Sequence, residues 1–489
     1  MSSAVEIERK YTVPDGVALP ELGRVPGAVS VDRRSAVHLD ALYLDTAERT
    51  LLAAGIVVRR REGGHDAGWH VKLRGSAGRT ELHAPIDPAA PDAVPAEFEA
   101  ALRSRVRGRA LAPIARIRTE RSAVVVVDRD GGRVEVVDDL VTATDVAAGV
   151  LRSWREWEAE QAEDSDRCAA LLERVHGVLL AAGAGPSESP AKIAQALGLV
   201  GRSPAAPALR TAADVVAVRV AARTEALHRG FQSLQLDGDP DGEVVHGLRK
   251  QLRRLRSLLT LGPVAGPDAA GLRDRLGALS RRLGEVRDPV VAARTASGLL
   301  DLDPGTPGLA EARALLVDGP LGEQAERTAS LARDLGAQEV LDLLADLEGF
   351  VPDGPDAAAP AKALVPLAEA AVRRARKRAR RGIRGDLDAL HRGRKAARRA
   401  RFVVEELVEA GVVPRRSTLA KAAKRDEAAQ DALGEHRDLA VLVAALPARS
   451  VELAAAGGNA FALGRAAELG RRRLTALRKD AARAVRRLA

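Results

Sequence analysis

The chain has 489 residues, 46% hydrophobic and 29% charged, which is the composition of packed domains and not of a disordered polymer. Its single cysteine, Cys168, excludes an internal disulfide framework and a CxxC metal site, and no run of eighteen or more apolar residues is present. The net charge of +9 is uneven: residues 1–200 hold 26 Lys and Arg against 30 Asp and Glu, residues 201–489 hold 50 against 37, and the second part is therefore the candidate polyanion binder.

The first element is VEIERKY, residues 5–11. Glu6, Glu8 and Lys10 recur at i, i+2, i+4, so a strand here puts two carboxylates and an ammonium on one face. Period-two alternation continues in GIVVRRRE (55–62), GWHVKLR (68–74), RTELHAPI (79–86), ARIRTERSAVVVVD (115–128), RVEVVDD (133–139) and SWREWEAE (153–160). Turn signals such as GGHDAG and DRDGGR separate these runs, which predicts about eight antiparallel strands in a meander. Short helices are predicted near 46–54 and 95–105, and a longer one over 165–183 that ends at a Gly-Ala-Gly-Pro stop. Closure into a barrel would remove the sheet edges. GRSPAAPA (201–208) reads as a linker, set at 201–209. Beyond it the period changes to 3.6, and an all-α region is predicted over 210–489, with halves at about 210–350 and 361–489. The fold class is thus α+β multidomain, with residues 1–200 forming the strand-rich domain.

Each strand segregates its charges. Arg59 and Arg61 share one side of their strand; His70, Lys72 and Arg74 share another. Arg79, Glu81 and His83 align, as do Arg116, Arg118 and Glu120, and the last strand aligns Glu156, Glu158 and Glu160. The bland interpretation is a solvated outer face around an apolar interior. Two features oppose it: acids dominate the first and last strands while bases dominate the middle, and lysine is rare. Of ten lysines, residues 1–200 contain only Lys10, Lys72 and Lys192, two of them on these charged faces. An ammonium differs chemically from a guanidinium fork, so such sparse use points to placement.

EIERK at the N-terminus, YLDT at 43–46 followed by LLAAGIVVRRR, WHVKLR, RTE at 79–81 and REWEAE at 155–160 resemble the CYTH domain of the triphosphate tunnel metalloenzymes. The resemblance implies an eight-stranded antiparallel tunnel that binds a triphosphate and divalent metal, Mg²⁺ or Mn²⁺, in its lumen. On that pattern Glu6, Glu8, Glu156 and Glu158 are the catalytic and metal-binding acids. Lys10, Arg59, Arg61, Lys72, Arg79, Arg116, Arg118 and Lys192 bind the triphosphate. The family also places an acid on the strand before the last; strict alternation favours Asp139, motif spacing favours Asp138, and Asp138 is taken as the metal ligand. His83 receives no role.

The helical part contains an internal repeat. HGLRKQLRRLR (246–256) and HRGRKAARRAR (391–401) share H-x-x-R-K-x-x-R-R-x-R, and LGEVRD (283–288) and LGEHRD (433–438) follow each copy. On a helical wheel His246, Arg249, Lys250, Arg253, Arg254 and Arg256 form one basic face opposite Leu248, Leu252, Leu255 and Leu259. His391, Arg394, Lys395, Arg398, Arg399 and Arg401 do the same in the second copy. Like charges at i, i+3 and i+4 repel by a few tenths of a kcal/mol per pair, which an anion would relieve. LGE-x-RD reads as a structural counterpart that orients the arginines. The pattern resembles the CHAD domain, which implies two pseudo-symmetric four-helix bundles and binding of inorganic polyphosphate. Nucleic acid fits less well, because the region has no Trp or Tyr on which bases could stack.

The expected function is metal-dependent hydrolysis of inorganic triphosphate, with polyphosphate held by the helical domain. The alternatives are a thiamine triphosphatase, an adenylate cyclase-type activity, or a non-catalytic polyphosphate scaffold. Acids where a signal peptide would be basic give an expected cytoplasmic location, with polyphosphate granules as a possible association and no membrane partner.

Overall fold

The computed structural model describes residues 2–14, 16–74, 79–187, 189, 191–200, 208–384 and 387–486; the side chains of 2–6, 74, 79–80, 383–384, 387–388 and 390–391 lie outside that description. The chain divides into two compact units, Met1–Ala205 and Ala206–Ala489.

The first unit contains strands β1 (Ser2–Glu6), β2 (Glu8–Thr12), β3 (Ala28–Arg33), β4 (Val37–Asp45), β5 (Val57–Glu62), β6 (Gly68–Arg74), β7 (Arg79–Ala84), β8 (Ala112–Asp128), β9 (Arg133–Asp145), β10 (Val150–Gln161) and β11 (Gly185–Pro186). Its helices are α1 (Thr50–Ala53), α2 (Ala96–Val106), α3 (Asp166–Ala181) and α4 (Lys192–Ala196). The sheet runs β1-β7-β6-β5-β4-β8-β9-β10-β2-β11, antiparallel throughout, with β3 added on β8. β1 and β2 are one N-terminal strand interrupted at Ile7; β1 pairs with β7 and β2 with β10, so the sheet closes on itself. Counted this way the barrel has eight strands. It is two meanders, β4–β7 and β8–β10, with the N-terminal strand between their free edges; β8 returns beside β4, so the single meander predicted from the alternation is not formed.

The wall is inverted relative to an ordinary small barrel. On β10, Trp157 and Ala159 are fully buried on the outer side, packed with Tyr11 against Leu171, Leu172, Val175 and Leu179 of α3. Each of these leucine and valine side chains contributes about 1.5–3 kcal/mol gross. Because successive residues of a strand point oppositely, this packing turns Glu156, Glu158 and Glu160 inward. The Ser165 hydroxyl caps α3 by accepting from the Cys168 amide at 3.4 Å. The YLDT motif has a local role: buried Asp45 accepts from the amides of Thr46, Leu51 and Leu52 at 2.7, 2.9 and 2.8 Å, fixing the turn into α1.

The second unit is helical. Its longest helices are Ala212–Leu236, Glu243–Leu258, Ala269–Leu300, Leu364–Arg384, Leu387–Glu409, Thr418–Ala455 and Phe461–Arg486. Thr211 and Asp214 form a reciprocal capping box at the first of these. The largest core joins Leu248, Leu252 and Leu255 of the first basic helix to Ala400, Val404 and Leu407 of the second. A further core joins Leu299 and Leu300 to Leu442, Leu446 and Leu463. The two halves therefore share cores. Helices of 32 and 38 residues run through them, about 48 and 57 Å long at 1.5 Å per residue. Among the described residues no helix is long and apolar enough to cross a membrane.

Candidate functional site

The barrel encloses a cavity of about 630 Å³ whose charged lining includes Glu8, Lys10, Arg59, Arg61, Lys72, Glu81, Arg121, Glu158 and Lys192. At its acidic centre Asp139, Glu156 and Glu158 are buried, with one oxygen of each within 4.8 Å of the others. Lys192, the first residue of α4, lies 3.0, 2.5 and 2.9 Å from these three carboxylates. Arg121 reaches both Asp139 oxygens, at 2.8 and 2.7 Å, and Glu158 at 3.2 Å. Lys10 contacts Glu158 directly and Glu8 at 3.2 Å. The Trp154 indole donates to Glu156 at 2.7 Å.

Charges packed this way set one another's protonation. Burial alone would raise the Glu158 carboxyl, but Lys192, Lys10 and Arg121 hold it well below the usual carboxylate range. Burial alone would lower Lys10 and Lys192; Glu158 with Glu8 outweighs it for Lys10, and Glu158 with Asp139 and Glu156 for Lys192, so both ammoniums are held above the usual lysine range. Glu160 is pushed up by burial and by Glu8, its register partner across β2.

Elsewhere in the lumen the bases of β5 and β6 meet Glu81 of β7. Glu81 lies 3.2 Å from Arg59, 3.3 Å from Lys72 and 2.9 Å from the His70 ring. Arg61 pairs with Asp66, and burial together with Arg59 pushes its guanidinium down to about 9.

Lys10, Arg59, Arg61, Lys72, Glu8, Glu156, Glu158 and Lys192 are therefore gathered in the lumen. The side chains of Glu6 and Arg79 lie outside the described residues. Three expectations are corrected. Asp138 points to the outer face, where Arg155 binds both its oxygens at 2.7 and 2.6 Å; Asp139 takes the inner position. Arg116 and Arg118 also face outward, both paired with Asp40 of β4. The inner row of β8 is Ile117, Thr119 and Arg121. Arg121 has the opposite parity to Arg116 and Arg118, so an alternation that turns those two inward turns Arg121 outward and hides it. Glu81 was aligned with Arg79 but given no role, although its place in RTE on a charged face was a usable signal.

In the second unit the two histidine-led helices lie side by side and converge their arginines. Arg398 is pushed down to about 8 by burial and by Arg253 and Arg394, and Arg253 down to about 10 by burial and by Arg249 and Arg394. A guanidinium does not give up its proton in a protein, so these shifts express the cost of burying the charges and, beyond it, their mutual repulsion. The repeat explains how the pairs are held. Asp288 binds Arg249 at 2.5 Å, and Asp438 acts electrostatically on Arg394. A β-carbon at Gly284 would stand 3.6 Å from the Arg249 guanidinium, and one at Gly434 only 2.9 Å from that of Arg394. In the second LGE motif glycine leaves room for the arginine to lie across the helix, whereas in the first the arginine passes at an ordinary contact distance. His246, Lys250, Arg256, Lys395 and Arg399 are exposed nearby.

Two residues expected on the basic face are diverted. Arg254 is buried against Glu405 and Glu406, the latter at 2.6 Å, and Glu409 at 3.0 Å. Arg401 is buried against Glu405 at 3.1 Å and Glu427 at 2.9 Å, with its guanidinium 4.7 Å from the Phe402 ring. The wheel's arc is wide enough that its edges tuck under neighbouring helices. The His391 side chain lies outside the described residues.

A closed antiparallel barrel with acids and bases turned into its lumen, on a chain that continues into a helical region with paired basic helices, defines a tunnel protein of the CYTH class joined to a CHAD domain. Family models agree, CYTH matching residues 4–169 and CHAD residues 220–447. The uncharacterized protein Rv2226 of Mycobacterium tuberculosis is 31% identical over 496 residues, covering 94% of this chain and 91% of its own. The chain belongs to the family in which a CYTH domain precedes a CHAD domain. Among solved structures, PptA from Streptomyces chartreusis is 24% identical with a TM-score of 0.46, over 56% of this chain and 99% of that one. The CHAD domain from the plant Ricinus communis is 24% identical with a TM-score of 0.42, over 57% and 94%. Family membership implies a triphosphate-directed, divalent-metal-dependent tunnel domain.

Proposed function

We propose that the tunnel hydrolyses inorganic triphosphate and that the helical domain binds inorganic polyphosphate. The observation that supports the first most is the juxtaposition, inside one cavity, of three buried carboxylates with a run of lysines and arginines. A triphosphate carries four to five negative charges, and Lys10, Arg59, Arg61, Lys72, Arg121 and Lys192 supply six positive ones around the lumen. The guanidiniums bind oxygens by paired N–H donors and the ammoniums act as compact point charges, so the chain is oriented along the tunnel. The enclosed cavity limits bulk water, which strengthens each of these contacts.

The donor set fits a divalent cation: Asp139, Glu156 and Glu158 offer only carboxylate oxygens, the ligands Mg²⁺ and Mn²⁺ prefer, within a sphere of suitable size. Glu6 and Glu8 of the N-terminal strand complete the proposed acidic set. Such an ion supplies Lewis-acid polarisation of phosphate oxygens and a more acidic bound water. Lys192 and Arg121 meanwhile hold the three carboxylates in place.

For the helical domain the supporting observation is the group of mutually repelling arginines from both repeats, Arg249, Arg253, Arg394 and Arg398. A flexible phosphate chain would relieve that repulsion without any need for stacking surfaces. The test of the tunnel is phosphate release from tripolyphosphate, ATP and thiamine triphosphate, each with Mg²⁺, with Mn²⁺ and with chelator. Metal-dependent turnover favouring tripolyphosphate is expected; no turnover of any of them would make the tunnel a binding scaffold. For the helical domain, polyphosphate is expected to displace duplex DNA at matched salt, and the reverse ranking would refute the ligand assignment.

A further inference from the structure

His70 is 2% exposed, and both of its ring nitrogens face oxygen. Nε2 lies 2.9 Å from the backbone carbonyl of Asp66, and Nδ1 lies 2.9 Å from Oε1 of Glu81. A carbonyl only accepts, so Nε2 must carry a proton to donate to it. The Nδ1 of a neutral ring is then bare, and an ionised carboxylate presents only lone pairs. At 2.9 Å in a buried site two sets of lone pairs cannot face each other without a proton between them. The other tautomer merely moves the conflict to the Asp66 carbonyl.

We infer that the His70–Glu81 pair holds one proton on the Nδ1–Oε1 axis, and that this proton couples phosphate binding in the tunnel to pH. Among the described residues, the groups facing the pair include Arg59 and Arg61 on β5, Asp66 in the turn that follows, Lys72 on β6, and His83 on β7, whose ring centre is 4.9 Å from that of His70. Burial, with Arg59 and Arg61, outweighs the hydrogen bond to Glu81 and pushes the imidazole down to about 4, so the ring does not hold a second proton of its own near neutral pH. When the proton leaves, a full carboxylate competes with phosphate for Arg59 and Lys72. Phosphate affinity therefore weakens up to about tenfold per pH unit above the apparent pKa of the pair. This deepens the triphosphate reading of the tunnel and rests on it.

The experiment uses the full chain with ¹⁵N-labelled histidine. One arm observes the His70 ring by NMR near neutral pH without ligand; the other titrates sodium tripolyphosphate with Mg²⁺ by calorimetry across a range of pH. Expected are an exchange-protected proton on the His70 Nδ1 axis, lost in H70Q and E81Q, and an affinity that falls with pH in the native protein but is flat in E81Q. Absence of that proton in the native protein overturns the inference whatever tripolyphosphate does. An equal pH slope in the native protein and E81Q overturns the coupling. A protected proton in a protein that binds no tripolyphosphate at any pH overturns the phosphate reading of the tunnel and the coupling with it, and leaves the proton site standing.

Discussion

Asp426 lies in the helix Thr418–Ala455 with no exposed surface, and neither of its carboxylate oxygens has a hydrogen-bond partner among the described residues. Counting from the two LGE-x-RD motifs, its counterpart in the first repeat is Leu276, which is also fully buried. Burial raises the Asp426 carboxyl to about 7, against the pull of Arg376, Arg425 and Arg401. In the unfolded chain it titrates near 3.9. Between those values the native state holds a proton that the unfolded chain has lost, so stability declines as pH rises from about 4 and reaches its floor above about 7. Three pKa units at 1.36 kcal/mol each amount to about 4 kcal/mol. D426L restores the side chain of the other repeat and removes that loss: little gain is expected near pH 4 and about 4 kcal/mol near pH 8. Every tryptophan lies in the first unit, so fluorescence is blind to this change. Peptide-resolved hydrogen exchange over residues 418–455, corrected for intrinsic rates, reads it directly. If native protection relative to D426L does not fall between pH 5 and pH 8, Asp426 is ionised and paired, and the reasoning fails.

D139N is expected to reduce metal affinity or metal-dependent turnover about 10- to 100-fold, because it removes a charged oxygen from the buried acidic centre. D138N breaks only the outward pair with Arg155, so it is expected to leave turnover intact and to cost at most about 1 kcal/mol in a denaturation curve. The double variant R253A/R398A is expected to weaken polyphosphate binding and to flatten its salt dependence, while raising the melting temperature of the ligand-free protein because a repulsion has been removed. A lowered melting temperature without ligand would show that these arginines stabilise the fold.

Alternation makes visible which residues share a strand face, and that is why Glu156 and Glu158, or Arg59 and Arg61, could be grouped from sequence. It is silent on which face turns inward. On β10 the outer side is fixed by α3 covering Trp157 and Ala159, a contact between distant segments. On β8 no such bulky outer residue marks the wall near Arg116, and the residue that receives it, Asp40, belongs to β4, a strand that period-two reading passed over. Asp139 was legible by strict alternation with Glu135; the motif spacing that favoured Asp138 counts residues without regard to the pleat. The repeated basic helices were legible because HxxRK and LGExRD recur in the same order, 145 and 150 residues on. The fate of Arg254 and Arg401 was not, because the acids that capture them, Glu405, Glu406, Glu409 and Glu427, lie on other turns and helices. The glycine of LGE is readable only once the arginine above it is seen.

The pairing of charges inside the tunnel has a consequence for how ligands enter it. Glu8, Asp139, Glu156 and Glu158 are balanced by Lys10, Arg121 and Lys192 through direct contacts, four acids against three bases. Triphosphate alone would have to pull those bases from carboxylates that stay behind in the lumen, a costly exchange. A divalent cation alone would leave a surplus of positive charge in the lumen beside Lys192. Bound together, and counted with Arg59, Arg61 and Lys72, which also line the cavity, cation and triphosphate exchange partners with the resident ion pairs and keep the lumen near neutrality. Each is therefore expected to tighten the other, by the same factor in either order of addition. Calorimetric titration of Mg²⁺ with and without tripolyphosphate, and of tripolyphosphate with and without Mg²⁺, measures both factors, once corrected for complexation of the two in solution. Independent binding would mean that the resident ion pairs are not displaced, and that the acids and bases of the lumen hold the barrel together without receiving the ligand.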